Sequence, residues 1–114
     1  MEDFERKVQN GVVVEVVNLS RATYKDALIF KKILTEDIVE KKFRKVVIDI
    51  SQCDYVDSTF LGTMVFAKRS MNEIGGELKI VQPKNLFDAL LERTPIIEVM
   101  EPHITLENAI LSFK

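Results

Sequence analysis

The chain has 114 residues and a formal net charge of −2; 46% of its residues are hydrophobic and 30% are charged. This composition is typical of one packed domain, predicted to span residues 1–114, and it excludes a disordered chain. The nearly balanced charge provides no broad positive field, so direct binding to nucleic acid or to an anionic membrane is not expected.

The first seventeen residues have the pattern of a β-hairpin. Phe4 to Gln9 alternates weakly, and Val12 to Val17 is a β-branched run broken only by Glu15. Asn10-Gly11 stands between them, and Asn-Gly is the strongest two-residue hairpin signal because both positions accept a positive φ. We therefore predict two antiparallel strands joined at Asn10-Gly11.

A helix and a buried strand are predicted next. Thr23 is suited to cap the helix, with Asp26 three residues further on, and the helix ends near Lys41. Its inward-facing positions recur at helical spacing and are Ala27, Phe30, Leu34 and Ile38. The almost continuously apolar run from Lys45 to Ile50 is typical of a strand that is covered on both faces.

A loop from Ser51 to Val56 then leads into a second helix, which runs from about Ser58 to Glu73. The apolar stripe of this helix consists of Phe60, Met64, Ala67, Met71 and Ile74. Gly75 and Gly76 end the helix, since glycine accepts the left-handed backbone conformation found at helix ends.

The last third of the chain continues the alternation of strands and helices. A strand from Glu77 to Val81 ends before Pro83, and a short strand from Ile96 to Met100 precedes a final helix capped by Thr105. Between the two strands, a short helix is defined by Leu86, Phe87, Leu90 and Leu91.

The predicted order of elements is ββαβαβαβα, and the predicted fold class is α/β. Strands that alternate with crossover helices favour a mixed, mostly parallel sheet with right-handed connections. We expect about five strands, with four helices packed mainly on one side of the sheet.

Neither a metal centre nor an active site is predicted. His103 is the only histidine and Cys53 the only cysteine, so the usual zinc ligands cannot be assembled and no cofactor is expected. No serine stands in a G-x-S-x-G elbow, and no acid, base and nucleophile converge, so we do not expect an enzyme. A lone cysteine and an acidic N-terminus without an apolar signal segment favour the cytoplasm.

The segment with functional character is Asp54 to Gly62, between the buried strand and the second helix. Binding sites gather at the carboxyl edge of strands in parallel sheets, and Ser58 is predicted to stand at the start of a helix. One interpretation is that Asp57 or Ser58 only caps the helix. The other is that Ser58 is phosphorylated, because the free N–H groups at a helix start can hold a phosphate without disturbing the fold.

At these residues the chain resembles the STAS domains of anti-sigma-factor antagonists. The family hallmark is Asp-Ser-Ser/Thr-x-Leu-Gly after an apolar strand, and here it stands as Asp57 to Gly62. The similarity extends to the strand Val46 to Ile50, to the helix end Ile74 to Leu78, and to the closing section around Leu86-Phe87 and Thr94 to Ala109.

The resemblance implies a regulatory switch in which Ser58 is the phosphate acceptor. Asp57 would be its essential neighbour, with Thr59 an adjacent hydroxyl and Gly62 a site of close packing between helix and sheet. The partners implied are an anti-sigma factor with serine kinase activity, which binds the unphosphorylated protein and releases the sigma factor, and a metal-dependent serine phosphatase.

Two departures from the family pattern affect the predicted partner surface. An acidic residue of the family is missing from the stretch Val17 to Ser20, and Phe60 stands where glycine is usual. Phe60 is either a core residue, as its helical spacing favours, or an exposed partner contact. The residues assigned to the partner surface are Asp54, Phe60, Ser20 and Asn18.

Two other functions remain open from the sequence. Some STAS domains are fixed structural subunits of transporters or of signalling scaffolds, and the altered Asn18 to Ser20 segment leaves room for that role. A small ligand such as a nucleotide could instead bind at the carboxyl edge of the sheet.

Overall fold

A five-stranded mixed sheet forms the centre of the computed structural model, which describes residues 2–85 and 100–113. The strands of the described chain are β1 (Phe4–Gln9), β2 (Val12–Val17), β3 (Arg21–Ala22), β4 (Lys45–Asp49), β5 (Tyr55–Val56), β6 (Glu77–Val81) and β7 (Pro102–His103). The main sheet has the order β1-β2-β4-β6-β7, and every pair except β1–β2 is parallel. This confirms the predicted α/β fold class.

The N-terminal hairpin is confirmed. β1 and β2 pair antiparallel from Phe4 opposite Val17 to Gln9 opposite Val12. Asn10 and Gly11 form the turn with φ values of 53° and 76°, the left-handed conformation that favours this residue pair.

Three α-helices are described: α1 (Tyr24–Thr35), α2 (Ser58–Glu73) and α3 (Leu106–Leu111). Thr23 caps α1 as predicted, and the structure adds a capping box, in which Thr23 accepts from the backbone and Asp26 accepts from the Thr23 N–H. A π-helical turn, Glu36–Glu40, continues α1 to the predicted end near Lys41. No described helix combines the length and apolarity required to cross a bilayer.

The helices lie on both faces of the sheet. The larger core lies between the sheet and the helices α1 and α2, and includes Phe30, Leu34, Ile48, Phe60 and Met64. A smaller core on the other face joins Val12, Val14, Val16, Val47 and Val81 to Ala109 of α3. The alternation of β2 between the two cores explains why every residue of that strand is buried.

Three short strands, β3, β5 and β7, were not predicted. β5 lies within the segment Ser51 to Val56 that was predicted as a loop, and it pairs in parallel with β3 in a separate two-stranded sheet. The predicted strand at Ile96 to Met100 is wrong at Met100, which lies in a turn. The strand that pairs with β6 is instead β7. Residues 96–99 and the predicted helix around Leu86, Phe87, Leu90 and Leu91 lie outside the described residues.

Candidate functional site

Ser58 is the first residue of α2, and its side chain is exposed. Thr59, the second residue of the helix, is exposed as well. The first N–H groups of a helix have no acceptor within the helix, and its amino end carries a partial positive charge. A hydroxyl at this position is therefore both reachable from solvent and close to donors that favour a negative group.

Asp57 holds the start of α2 and also the start of α1. Its Oδ1 accepts a hydrogen bond from the Phe60 N–H at 2.8 Å, which makes Asp57 the N-cap of α2. Its Oδ2 accepts from the N–H of Tyr24, the first residue of α1, at 2.7 Å. One carboxylate thus satisfies a free donor at each of two helix ends and fixes their relative position.

The short β3–β5 pairing brings residues 34 positions apart to the same edge as Ser58. The Ser20 hydroxyl donates to the Asp54 Oδ2 at 2.7 Å, and the Ser20 carbonyl accepts from the Asp54 N–H at 2.7 Å. The Asp57 N–H donates to the Ala22 carbonyl at 3.0 Å, which continues this ladder to the residue before Ser58. Ser20, Asp54 and Ser58 are all exposed, so the three polar side chains belong to one solvent-facing edge.

Asn18 is partly buried, and its side chain forms hydrogen bonds to the N-terminal residue Glu2, to β1 and to the segment after β4. Its side-chain nitrogen donates to the Glu2 carbonyl at 3.0 Å and to the Glu5 carboxylate at 3.1 Å. Its side-chain oxygen accepts from Gln52 at 3.2 Å. Because the amide is engaged on both sides, Asn18 anchors the chain terminus and the segment before Asp54.

The exposed-contact interpretation of Phe60 is wrong. The side chain is fully buried and its ring stacks on that of Phe30, with 5.0 Å between the ring centroids. The helical spacing had favoured this core position, and a buried ring cannot touch a partner directly.

The packing role predicted for Gly62 is also wrong. Gly62 is exposed on α2, and a Cβ added there would meet no atom within 4 Å. The helix turns this position away from the sheet, so the described part of the chain gives no steric reason for the missing side chain.

Cys53 is buried, and burial together with the nearby Asp49 carboxylate raises the pKa of its thiol to about 12. The thiol therefore stays protonated at neutral pH and is a poor nucleophile or metal ligand. Within residues 2–85 and 100–113 no three histidine, cysteine or acidic groups lie close enough to hold a metal ion.

Sequence reasoning missed the contact between Asp57 and the first residue of α1. The two residues are 33 positions apart, and neither belongs to a local motif that includes the other. A capping residue indicates one helix start, and nothing in the sequence indicates that a second helix start shares the carboxylate.

The family model described as "STAS domain" matches residues 23–109. A Thermotoga neapolitana protein named "putative anti-sigma factor antagonist TM1081 homolog" is 24% identical over 94% of this chain and 94% of its own length.

Two solved structures have the same fold. TM1081 from Thermotoga maritima superposes with a TM-score of 0.78 at 22% identity, covering 95% of this chain and 92% of that chain. The Bacillus cell fate determinant SpoIIAA, in its phosphorylated form, superposes with a TM-score of 0.71 at 13% identity, covering 94% of this chain and 96% of that chain.

Proposed function

Because this chain belongs to the STAS domain family, we propose that it is an anti-sigma-factor antagonist whose partner binding is switched by phosphorylation of Ser58. The observation that carries the proposal is the exposed Ser58 hydroxyl at the amino end of α2, directly after the capping residue Asp57. The matched family model and the names of the related proteins support an anti-sigma factor as the partner.

The local structure can accept a phosphate without unfolding. Asp57 occupies the N–H of Phe60, so the helix keeps its cap when Ser58 is modified. A phosphate on Ser58 would lie near the amino end of the helix, where backbone N–H groups and the helix dipole favour negative charge. The switch therefore acts on the surface while the backbone stays in place.

Phosphorylation would change the electrostatic character of the binding edge. It adds about −1.5 to −2 charges at neutral pH next to the carboxylates of Asp54 and Asp57. A partner that docks on the neutral hydroxyl would then meet repulsion and would have to remove the hydration shell of a dianion. Loss of binding follows from charge alone.

The acidic residue that the sequence lacks near Ser20 has a spatial substitute. The Asp54 carboxylate lies 2.7 Å from the Ser20 hydroxyl, so a negative group stands at the edge beside Ser20 even though its chain position differs. This supports Asp54 and Ser20 as partner contacts, and it assigns Asn18 a supporting role behind them.

In the proposed cycle the chain itself catalyses nothing and acts in the cytoplasm. The unphosphorylated form binds an anti-sigma factor that is also a serine kinase, and the sigma factor is released. The kinase phosphorylates Ser58 and ends the interaction, and a metal-dependent serine phosphatase restores the hydroxyl.

The test is a pull-down with the parent, Ser58→Ala and Ser58→Asp proteins as baits, followed by phosphorylation with ATP and the purified partner. We expect the parent and Ser58→Ala to retain an anti-sigma factor kinase, Ser58→Asp to lose it, and phosphate to appear on Ser58 alone. If Ser58→Asp binds the kinase as tightly as the parent, the electrostatic switch is wrong. Recovery of a membrane transporter and no kinase would favour a structural subunit.

A second candidate function is the binding of a small ligand at the carboxyl edge of the sheet. A cleft of about 670 Å³ there is lined by Ser51, Gln52, Cys53, Asp54, Lys84 and Asn85. Calorimetric titration with nucleoside triphosphates tests this candidate, and saturable heat that Lys84→Ala abolishes would support it.

A further inference from the structure

Strand β1 forms an open edge of the main sheet. It stands first in the order β1-β2-β4-β6-β7, so β2 is its one neighbour among the described strands. An open edge offers unpaired N–H and C=O groups to a strand of another chain, and proteins commonly prevent this with proline, bulges or very short edge strands. β1 has six residues, contains no proline and pairs with β2 without a bulge. Its edge is therefore open to pairing.

The hydrogen-bond pattern of the hairpin determines which backbone groups of β1 point outward. In a two-residue hairpin the residues that flank the turn form a hydrogen-bonded pair, and every second pair beyond them does so too. Gln9 and Val12 flank the turn, and the Asn18 N–H donates to the Asp3 carbonyl at 2.8 Å, which keeps the same alternation at the other end. The residues whose N–H and C=O groups point away from β2 are therefore Phe4, Arg6 and Val8.

Exposed apolar side chains lie beside this edge on the face of the sheet that α1 covers. Val8 of β1 is 59% exposed and Ile29 of α1 is 57% exposed. The Arg6 Nη2 donates to the Ile33 carbonyl at 3.5 Å, which places this side of α1 next to β1. Ile29 lies one helical turn before Ile33 on the same side. A strand added to β1 would therefore cover apolar surface as well as pair backbone groups.

The side chains of β1 are complementary to those of a second β1 that runs in the opposite direction. When two copies pair about Arg6, Glu5 of each copy lies opposite Lys7 of the other. In the same register Phe4 lies opposite Val8. Neither Glu5 nor Lys7 takes part in an ion pair within the described part of the chain. Opposite charges directly across a strand pair stabilise it, so both ends of the pairing are favourable.

The positive charge of Arg6, which would lie on the two-fold axis, is balanced within each copy. Its side chain is directed toward α1, where the Nε lies 2.8 Å from Glu15 Oε2 and 2.9 Å from Asp37 Oδ1. The backbone groups of Arg6 point outward, as do those of Phe4 and Val8. The register centred on Arg6 thus brings outward-pointing backbone groups opposite one another, as hydrogen-bonded antiparallel pairs require.

We propose that β1 is a dimerisation strand, through which two copies of this chain pair antiparallel about Arg6. The pairing joins the five-stranded sheets of the two copies into one continuous sheet. The interface is isologous, because the same residues serve on both sides of the two-fold axis. This inference goes beyond the proposed switch and does not depend on phosphorylation of Ser58.

Sedimentation equilibrium of the purified chain tests the pairing. We expect a parent dimer whose Kd rises about tenfold in Glu5→Lys and in Lys7→Glu, because either reversal places like charges opposite each other at two positions of the dimer. Arg69→Glu reverses an exposed charge on α2 and is the matched control, which should keep the Kd of the parent.

A mixture of Glu5→Lys and Lys7→Glu provides the decisive measurement. One variant then has only positive groups at these two positions and the other only negative groups, so the mixture should form a heterodimer at least as tight as the parent dimer. Thermal unfolding followed by circular dichroism verifies that each variant is folded. Lys7 forms no ion pair in the part of the chain that the structure describes, so Lys7→Glu should keep the Tm of the monomeric parent.

Three results would overturn the inference. The first is a parent chain that stays monomeric up to about 1 mM. The second is a dimer that both reversals leave intact, or that Arg69→Glu weakens equally, since the contact then lies elsewhere. The third is a mixture of folded variants that forms no heterodimer, which would contradict the antiparallel register. Each result is independent of the kinase assay, so the proposed function can fail or succeed separately.

Discussion

Asp57 and Ser58, adjacent at the start of α2, have different roles. Asp57 is engaged in structure, because each of its carboxylate oxygens accepts a backbone N–H from a different helix. The Ser58 side chain is exposed to solvent. The Ser58 hydroxyl, the proposed phosphate acceptor, can therefore be modified while Asp57 keeps both helices in place.

Replacing Asp57 with alanine is expected to lower the free energy of unfolding by about 2 kcal/mol. The variant loses a helix cap and leaves the Tyr24 donor without its acceptor, and each loss contributes about 1 kcal/mol. Urea denaturation followed by circular dichroism measures the change. Asp54→Ala removes an equal charge from the same edge without touching a helix end, and it should stay within about 0.5 kcal/mol of the parent. Equal effects of the two variants would contradict the dual cap.

At the scale of elements, the hairpin is joined to the end of α1 by a buried charge cluster. The Arg6 Nε lies 2.8 Å from Glu15 Oε2 and 2.9 Å from Asp37 Oδ1, and both carboxyl groups are fully buried. The π-helical turn carries Asp37 into this position, opposite Glu15 in the middle of β2. One guanidinium thus faces two buried carboxyl groups, together with the half-buried Glu36 at 2.9 Å from its Nη1.

Burial, together with the neighbouring Asp37 carboxyl, raises the pKa of Glu15 to about 8 against the opposing effect of Arg6. Burial also raises the pKa of Asp37. Oε1 of Glu15 and Oδ2 of Asp37 have no hydrogen-bond partner among the described residues. A raised pKa favours the protonated form of a carboxyl group, so the two shifts lower the negative charge that is buried beside Arg6.

Because of this cluster, the free energy of unfolding depends on pH. Glu15 has a higher pKa when folded than its ordinary value of 4.5, so the folded protein keeps a proton that the unfolded chain releases. The free energy of unfolding is therefore expected to fall as the pH rises from about 4.5 to about 8. Glu15→Gln has no proton to lose, and we expect a flatter profile that exceeds the parent by about 4–5 kcal/mol at the upper end, since each pKa unit corresponds to about 1.4 kcal/mol.

Denaturant titrations of the two proteins across that pH range measure the difference. Glu40→Gln removes the same charge from the exposed end of the π-helical turn, and its profile should follow the parent. A Glu15→Gln profile with the slope of the parent would contradict the raised pKa.

The same elements are held together by a stack of three aromatic rings. Phe4 of β1 stacks on Phe30 of α1, and Phe30 stacks on Phe60 of α2, each at 5.0 Å between centroids. Phe60→Ala is expected to lower the free energy of unfolding by about 3–5 kcal/mol, because it opens a cavity in the middle of the larger core. Thermal unfolding monitored by calorimetry measures this, with Phe66→Ala as the control because its ring is half exposed on the same helix. A Phe60→Ala protein as stable as Phe66→Ala would contradict the stack.

At the scale of the whole molecule, the fold keeps Ser58, the residue of the proposed switch, apart from both hydrophobic cores. The sheet is covered by α1 and α2 on one face and by α3 on the other, so the interior does not reach Ser58. The proposed switch therefore alters a surface and leaves both cores unchanged.

Ser58→Asp is expected to leave the free energy of unfolding within about 1 kcal/mol of the parent, since a negative group at a helix start is favoured by the dipole. Amide chemical shifts measured by NMR should change only around the starts of α1 and α2 and at the β3–β5 edge. Ser58→Ala, which adds no charge, is the control for loss of the hydroxyl. Shift changes that spread through both cores would contradict a switch by surface charge alone.

Local patterns in the sequence were sufficient for most elements. The Asn10-Gly11 turn, the Thr23 cap, the buried strand that begins at Lys45 and the start of α2 at Ser58 were all predicted and are confirmed. Each depends on residues within a few positions of one another, so the local sequence determines the backbone conformation there. The hallmark around Ser58 was sufficient to indicate the family for the same reason.

Only the tertiary structure decided which side chains meet and which way they face. It joined Asp57 to Tyr24 and Ser20 to Asp54, buried Phe60 and turned Gly62 toward solvent. These contacts link residues more than thirty positions apart or depend on how a helix is rotated against its neighbours. Such information arises when the sheet and helices pack together, because packing, and not local preference, fixes the distances between segments.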